Sequence, residues 1–136
     1  MSCVLRASGK NFAVDKFMHK SNFIPLAIFR RGEPKSKNNP RRKNIQSSIN
    51  IAVSNASFDN IKRQVKDAVS FLTKNKAEIR RLMRFKGVEG AELDFASHRT
   101  DKFFQEIEFP SELIALAASL GLSVKLSQYP KPINEK

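Results

Sequence analysis

The sequence predicts an α+β fold: a single mixed or antiparallel sheet of about five to six strands, with helices packed on one face. Three observations predict it. Several short runs alternate apolar and polar residues, the period of a strand with one buried face. Others repeat apolar residues every three or four positions, the period of an amphipathic helix. The two periods follow one another as β-α-β, β-α-α-β, β-α-β, and elements with one apolar face each are covered most economically in two layers. The first four strands fit a split β-α-β arrangement of the ferredoxin-like type.

Residues 2–8 read as a strand, with Cys3, Leu5 and Ala7 on one face and Arg6 on the other. Gly9-Lys10-Asn11 is a turn, and Val14, Phe17 and Met18 give a short helix over residues 13–20. Residues 24–30 form a second strand, whose Pro25 points to an edge or a strand start. Residues 32–44, GEPKSKNNPRRKN, contain two prolines, a glycine and three asparagines and read as a mobile, irregular, basic loop. Residues 45–54 alternate clearly: Ile45, Ile49, Ile51 and Val53 against Gln46, Ser48, Asn50 and Ser54.

Phe58, Ile61, Val65, Ala68 and Leu72 make the main amphipathic helix, ending near Asn75. A second helical piece spans residues 76–85, with Ile79, Leu82 and Met83 inward. After a turn at Gly87 and Gly90, Ala91, Leu93 and Phe95 alternate with Glu92 and Asp94 as a fourth strand, and residues 97–101 form a polar turn. Residues 103–130 read as strand, helix, strand. Phe103, Ile107 and Phe109 oppose Glu106 and Glu108, and Pro110-Ser111 opens a helix. Leu113, Ile114, Leu116, Ala117 and Leu120 form its stripe, and Gly121 ends it. Leu122, Val124 and Leu126 then alternate with Ser123, Lys125 and Ser127. The chain reads as one domain over residues 1–130, with a frayed tail at 131–136.

The 136 residues carry 25 Lys+Arg against 13 Asp+Glu, a net charge of +12, which attracts an anionic partner. One cysteine, Cys3, leaves no internal disulfide and fits a reducing cytoplasm. No apolar run approaches the ~20 residues needed to span a bilayer, so no membrane role is expected. The cations fall in two groups. Arg30, Arg31, Lys35, Lys37, Arg41, Arg42 and Lys43 crowd the loop, and Lys74, Lys76, Arg80, Arg81, Arg84 and Lys86 crowd the second helical piece. The first group is the candidate partner-binding set, because a mobile cationic segment is a common docking device; long cations are ordinary on an exposed helix.

The open sheet face is expected to display Gln46, Ser48, Asn50, Glu92, Asp94, Glu106, Glu108, Lys125 and Ser127, with Arg6 and Phe104, a polar and locally acidic surface. Such an acidic surface would repel the phosphates that sheet-type RNA binders hold over exposed aromatics. Catalytic and metal-binding patterns are absent. His19 and His98 are far apart, a base at His98 with Asp94 or Glu106 lacks the rest of a site, and one Cys with two His gives no zinc spacing. No cofactor motif is present, and the protein is expected not to be an enzyme.

Five pieces, SCVLRASGKNFAVDKF, AIFRRGEP, VSNASFDNIKRQVKDAVSFL, GVEGAELDF and FPSELIALAASLGLSVKLSQYP, resemble a largely uncharacterised family of small bacterial α+β proteins. The resemblance covers nearly the whole chain and transfers no catalytic residues. It implies an association with toxin–immunity loci for some members. The loop GEPKSKNNPRRKN is more basic than the family pattern. The expected function is a cytoplasmic binding protein, most sharply an immunity protein that occludes the acidic surface of a cognate toxin. The alternative is a small basic nucleic-acid-binding module.

Overall fold

The computed structural model describes residues 1–101 and 103–133. The elements run β1 (Cys3–Gly9), α1 (Val14–His19), β2 (Pro25–Phe29), β3 (Pro34–Ser36), β4 (Asn39–Lys43), β5 (Ser47–Ser54), α2 (Ile61–Lys74), α3 (Lys76–Arg84), β6 (Gly90–His98), α4 (Ser111–Ser119) and β7 (Ser123–Tyr129). A five-stranded sheet has the order β2-β5-β1-β6-β7, and β3 and β4 pair separately. β1 is antiparallel to β5 and β6, β2 is antiparallel to β5, and β7 is parallel to β6. Hence β1 and β2 run the same way with β5 between them, and β5 and β6 run the same way with β1 between them. These are two interlocked split β-α-β units, the ferredoxin-like arrangement the alternation predicts, with β7 added at one edge.

The core lies on one face of this sheet. Cys3, Leu5 and Ala7 of β1, Ile49 and Ile51 of β5, and Leu93 and Phe95 of β6 pack with Val65, Ala68 and Leu72 of α2. Ile79 and Leu82 of α3 and Leu113 and Ala117 of α4 complete it, each buried large aliphatic contributing about 1.5–3 kcal/mol. Phe12, Phe17, Phe23, Phe71 and Phe85 make a second focus, with neighbouring ring centroids 5.4 to 6.5 Å apart.

One polar side chain belongs to the core. Gln64 of α2 is fully buried, and its amide donates to the Ala96 carbonyl (2.8 Å) and accepts from the Ala96 N–H (3.3 Å), tying the helix to the backbone of β6. α2 itself begins at Ile61, where the Asn60 side chain accepts from the Arg63 N–H at 3.1 Å. Gly87, at φ +89, lies against the Asn11 backbone where any Cβ would collide, so the turn before β6 requires glycine.

Residues 32–44 are not irregular: they hold the β3–β4 hairpin. Both of its faces are solvated, so no apolar alternation announces it. Residues 103–109 are not a strand. Phe103 and Phe104 are exposed, and only Phe109 reaches the core, with its ring centroid 4.9 Å from that of Phe95. Ile107 is half-buried and Glu106 and Glu108 are exposed, so part of the alternation survives, but the segment pairs with no neighbouring strand. β6 instead runs on through Ser97 and His98, where the sequence predicts a turn, because β7 pairs with it as far as His98–Tyr129. The closing β-α-β unit is therefore β6-α4-β7, with residues 99–110 inside its crossover. Ile45 lies outside β5 and is exposed. Of the tail expected at 131–136, residues 134–136 lie outside the described residues.

Candidate partner interface

The hairpin is built from its base upward. Gly32 (φ +85) turns the chain, its N–H donates to the Asn44 carbonyl at 2.9 Å, and the Asn44 N–H donates to the Glu33 carbonyl at 2.8 Å. The Asn44 side chain donates to the Arg30 carbonyl at 3.2 Å, and the Arg31 N–H donates to Ser47 Oγ at 2.9 Å. From this anchored base Pro34 pairs with Lys43 and Ser36 with Asn39, leaving Lys37 and Asn38 as the turn.

The seven cations expected to bind a partner divide into two sets. Arg30 and Arg31 serve the fold. Arg30 grips Asp15 with a fork of hydrogen bonds (Nε–Oδ2 3.0 Å, Nη2–Oδ1 2.9 Å), which lowers the Asp15 pKa and raises that of Arg30. Arg31 Nη1 donates to Asn11 Oδ1 at 3.0 Å. Lys35, Lys37, Arg41, Arg42 and Lys43 are exposed along the hairpin and make no ion pair among the described residues. No acid lies within residues 34–43 to neutralise them.

The structure thus joins five of the predicted residues on one projection and draws two away. The residues that anchor it, Asp15, Asn11, Asn44 and Ser47, were missed. Their only sequence signal is that short polar residues suit turns and caps, which does not name a distant partner.

The helical cations differ. Arg81 lies 4.1 Å over the Phe17 ring centroid, donates to the Phe17 carbonyl (2.9 Å) and to Glu78 Oε1 (2.6 Å). Burial opposes ionisation of Glu78, but hydrogen bonds from Arg81 and Ser21 outweigh it and hold its carboxyl below the usual range. Arg80, Arg84 and Lys86 remain exposed on the outer side.

The open face also differs from its expected composition. Glu106 and Glu108 do not join the sheet, and Asp94 is buried in an ion pair with Arg6 while accepting from Ser127 Oγ at 2.7 Å. A shallow groove of about 320 Å³ runs between Arg6, Ser48, Asn50 and Glu92. Gln46 and Ser48 line both this groove and the next, which includes Lys35 of the hairpin. The sheet-face groove is therefore close to charge-balanced, with Arg6 beside Glu92, and the groove next to the hairpin carries Phe29 and the exposed Ile45.

His98 takes Asp59, at 3.3 Å from Nδ1 to Oδ1, rather than Asp94 or Glu106. Burial, reinforced by the charges of Asp94 and Asp67, pushes the Cys3 thiol up to about 12, so Cys3 is no nucleophile near neutral pH. Among the described residues no group of three His, Cys, Asp or Glu is placed to hold a metal, and no helix is long and apolar enough to cross a membrane.

No curated protein and no solved structure matches the chain. The hairpin and the sheet both lie within the reach of one family model, which matches residues 1–131: the chain belongs to DUF4279, a domain of unknown function.

Proposed function

We propose that the protein is a non-enzymatic binding protein that grips an anionic protein partner with the β3–β4 hairpin. The observation that carries this is the set Lys35, Lys37, Arg41, Arg42 and Lys43, held on an anchored projection with no carboxylate within residues 34–43. A cationic projection of this kind speeds encounter with an acidic surface and selects against basic ones. In its sharpest form the reading is a bacterial immunity protein, acting in the cytoplasm, that occludes a cognate toxin; the resemblance to a family some of whose members are associated with toxin–immunity loci supports that form.

A second reading, a nucleic-acid-binding module, is favoured by one observation. With Glu106 and Glu108 outside the sheet, the face next to the hairpin no longer opposes phosphates.

Affinity capture at near-physiological salt decides between them. The intact protein is compared with an Arg41→Ser, Arg42→Ser, Lys43→Ser variant, with nuclease in half the samples. One protein retained after nuclease and lost in the variant is the expected result, and its ability to poison cells unless this protein is present tests the immunity form. Capture that disappears with nuclease gives the second reading. Equal capture by variant and parent overturns both.

A further inference from the structure

The strand register places Ser8, Ser48 and Gly90 at the hairpin end of the sheet and Cys3, Ser54 and Phe95 toward the other end. Beyond that far end, the C-terminal ends of the parallel strands β6 and β7 and the N-terminal end of α2 enclose a cleft of about 920 Å³. This is a ligand-sized volume, and ligands favour the region beyond the carboxyl ends of parallel strands.

Two hydroxyls in this cleft are unexplained by the fold. Ser97 and Thr100 line it, and their side-chain oxygens are buried with no partner among the described residues. Ser97 is only 2% exposed. An unpaired buried hydroxyl costs about 1–3 kcal/mol, and native interiors rarely keep one without a reason. The 14-residue α2 points its N-terminal end at the same space and has no acid in its first turn; the Asn60 side chain takes the Arg63 N–H, and Asp59 stands just before that cap. Arg99 and Lys131 add positive charge to the lining. Of the two carboxylates there, Asp59 is already engaged by His98, and Asp101 is exposed. The Phe58 ring, with centroids 5.1 Å from His98 and 5.6 Å from Tyr129, supplies an aromatic wall.

We propose that this cleft binds a small molecule bearing an oxyanion, a phosphate or a carboxylate, to which Ser97, Thr100 and Arg99 donate at the N-terminal end of α2. The aromatic wall accommodates the rest of the molecule. This site is separate from the hairpin and does not depend on it.

The test is an amide-shift titration of the isotope-labelled protein with inorganic phosphate and, separately, with acetate, at constant ionic strength. Saturable shifts at Ile61, Ser97, Arg99 and Thr100 are expected; saturation by phosphate alone assigns a phosphorylated ligand, and by acetate alone a carboxylate. Ser97→Ala and Thr100→Val should each weaken binding about tenfold, the worth of one hydrogen bond to a charged acceptor. Neither should lower the melting temperature, since each removes a hydroxyl the fold leaves unpaired. The Arg41→Ser, Arg42→Ser, Lys43→Ser variant should bind as the parent does. The proposal is overturned if neither anion saturates by about 50 mM, where only an affinity weaker than ordinary ligand sites remains. Unchanged affinity in both hydroxyl variants, or loss of the shifts in the hairpin variant, overturns it equally.

Discussion

Arg81 on α3 and Arg41 on the hairpin carry the same guanidinium in opposite settings. Beneath Arg81 lie the Phe17 ring, the Phe17 carbonyl and Glu78, which together take up its face and its donors. Around Arg41 there is solvent, and its neighbours Arg42 and Lys43 add like charge. The chain clusters cations in both places, so local charge density does not separate them. What separates them is whether an aromatic ring from another element and a carboxylate one helical turn away come within reach. Cations satisfied internally are part of the fold, while those left unsatisfied on an anchored support are available to something else.

This contrast predicts a graded series. Arg81→Ala should have the largest effect on stability, about 2–3 kcal/mol in a denaturant melt. It removes the cover of Phe17 and strands a Glu78 carboxylate whose side chain is only 16% exposed. Arg81→Lys should recover little, since an ammonium lacks the planar fork. A loss below about 0.5 kcal/mol, the ordinary range for surface changes, would erase the distinction.

The hairpin triple variant should lose its partner yet keep its stability within that same ~0.5 kcal/mol. A cooperative loss of stability there would make the hairpin cations structural after all.

Acid should sharpen the contrast further. Glu78 has a lowered folded pKa, so its contribution is present in full above its ordinary value of 4.5 and is lost as pH falls from there through the lower folded value. Glu78→Gln should flatten that part of the acid limb in denaturant melts, whereas the hairpin variant should leave the limb unchanged. An acid limb identical in Glu78→Gln and parent would show that the Arg81–Glu78 contact does not hold in solution.

Asp15→Asn should give the smallest effect, because its partner Arg30 is exposed and surface ion pairs are weak and screened by salt. A small fall in melting temperature at low salt that vanishes at high salt is the expected outcome. A large, salt-independent fall would mean that the hairpin base depends on this pair.

The sequence by itself determined the core faces of the central strands and of α2 and the order of most elements, while Ile45, Phe103 and Ile114, read from their spacing as core-facing, are exposed. The period-two faces of Cys3, Leu5 and Ala7 and of Ile49 and Ile51, and the three-four spacing of Val65, Ala68 and Leu72, all end in the common core. These are local properties, because an extended chain or a helix sets side-chain direction through its own backbone geometry. Tertiary structure alone decided the pairings. Phe109 packs on Phe95 as its alternation requires, yet its segment finds no neighbouring strand, whereas Ser97 and His98 lie in β6 because β7 reaches that far. The polar hairpin escaped detection because neither of its faces is buried. The cations that looked alike were sorted by distant residues, Asp15 for Arg30 and Phe17 for Arg81. The cleft beside Ser97 arises only where β6, β7 and α2 end together. Hydrogen bonds between strands, ring stacking and cleft walls each need two partners far apart in the chain, and only folding brings them to within a few ångströms.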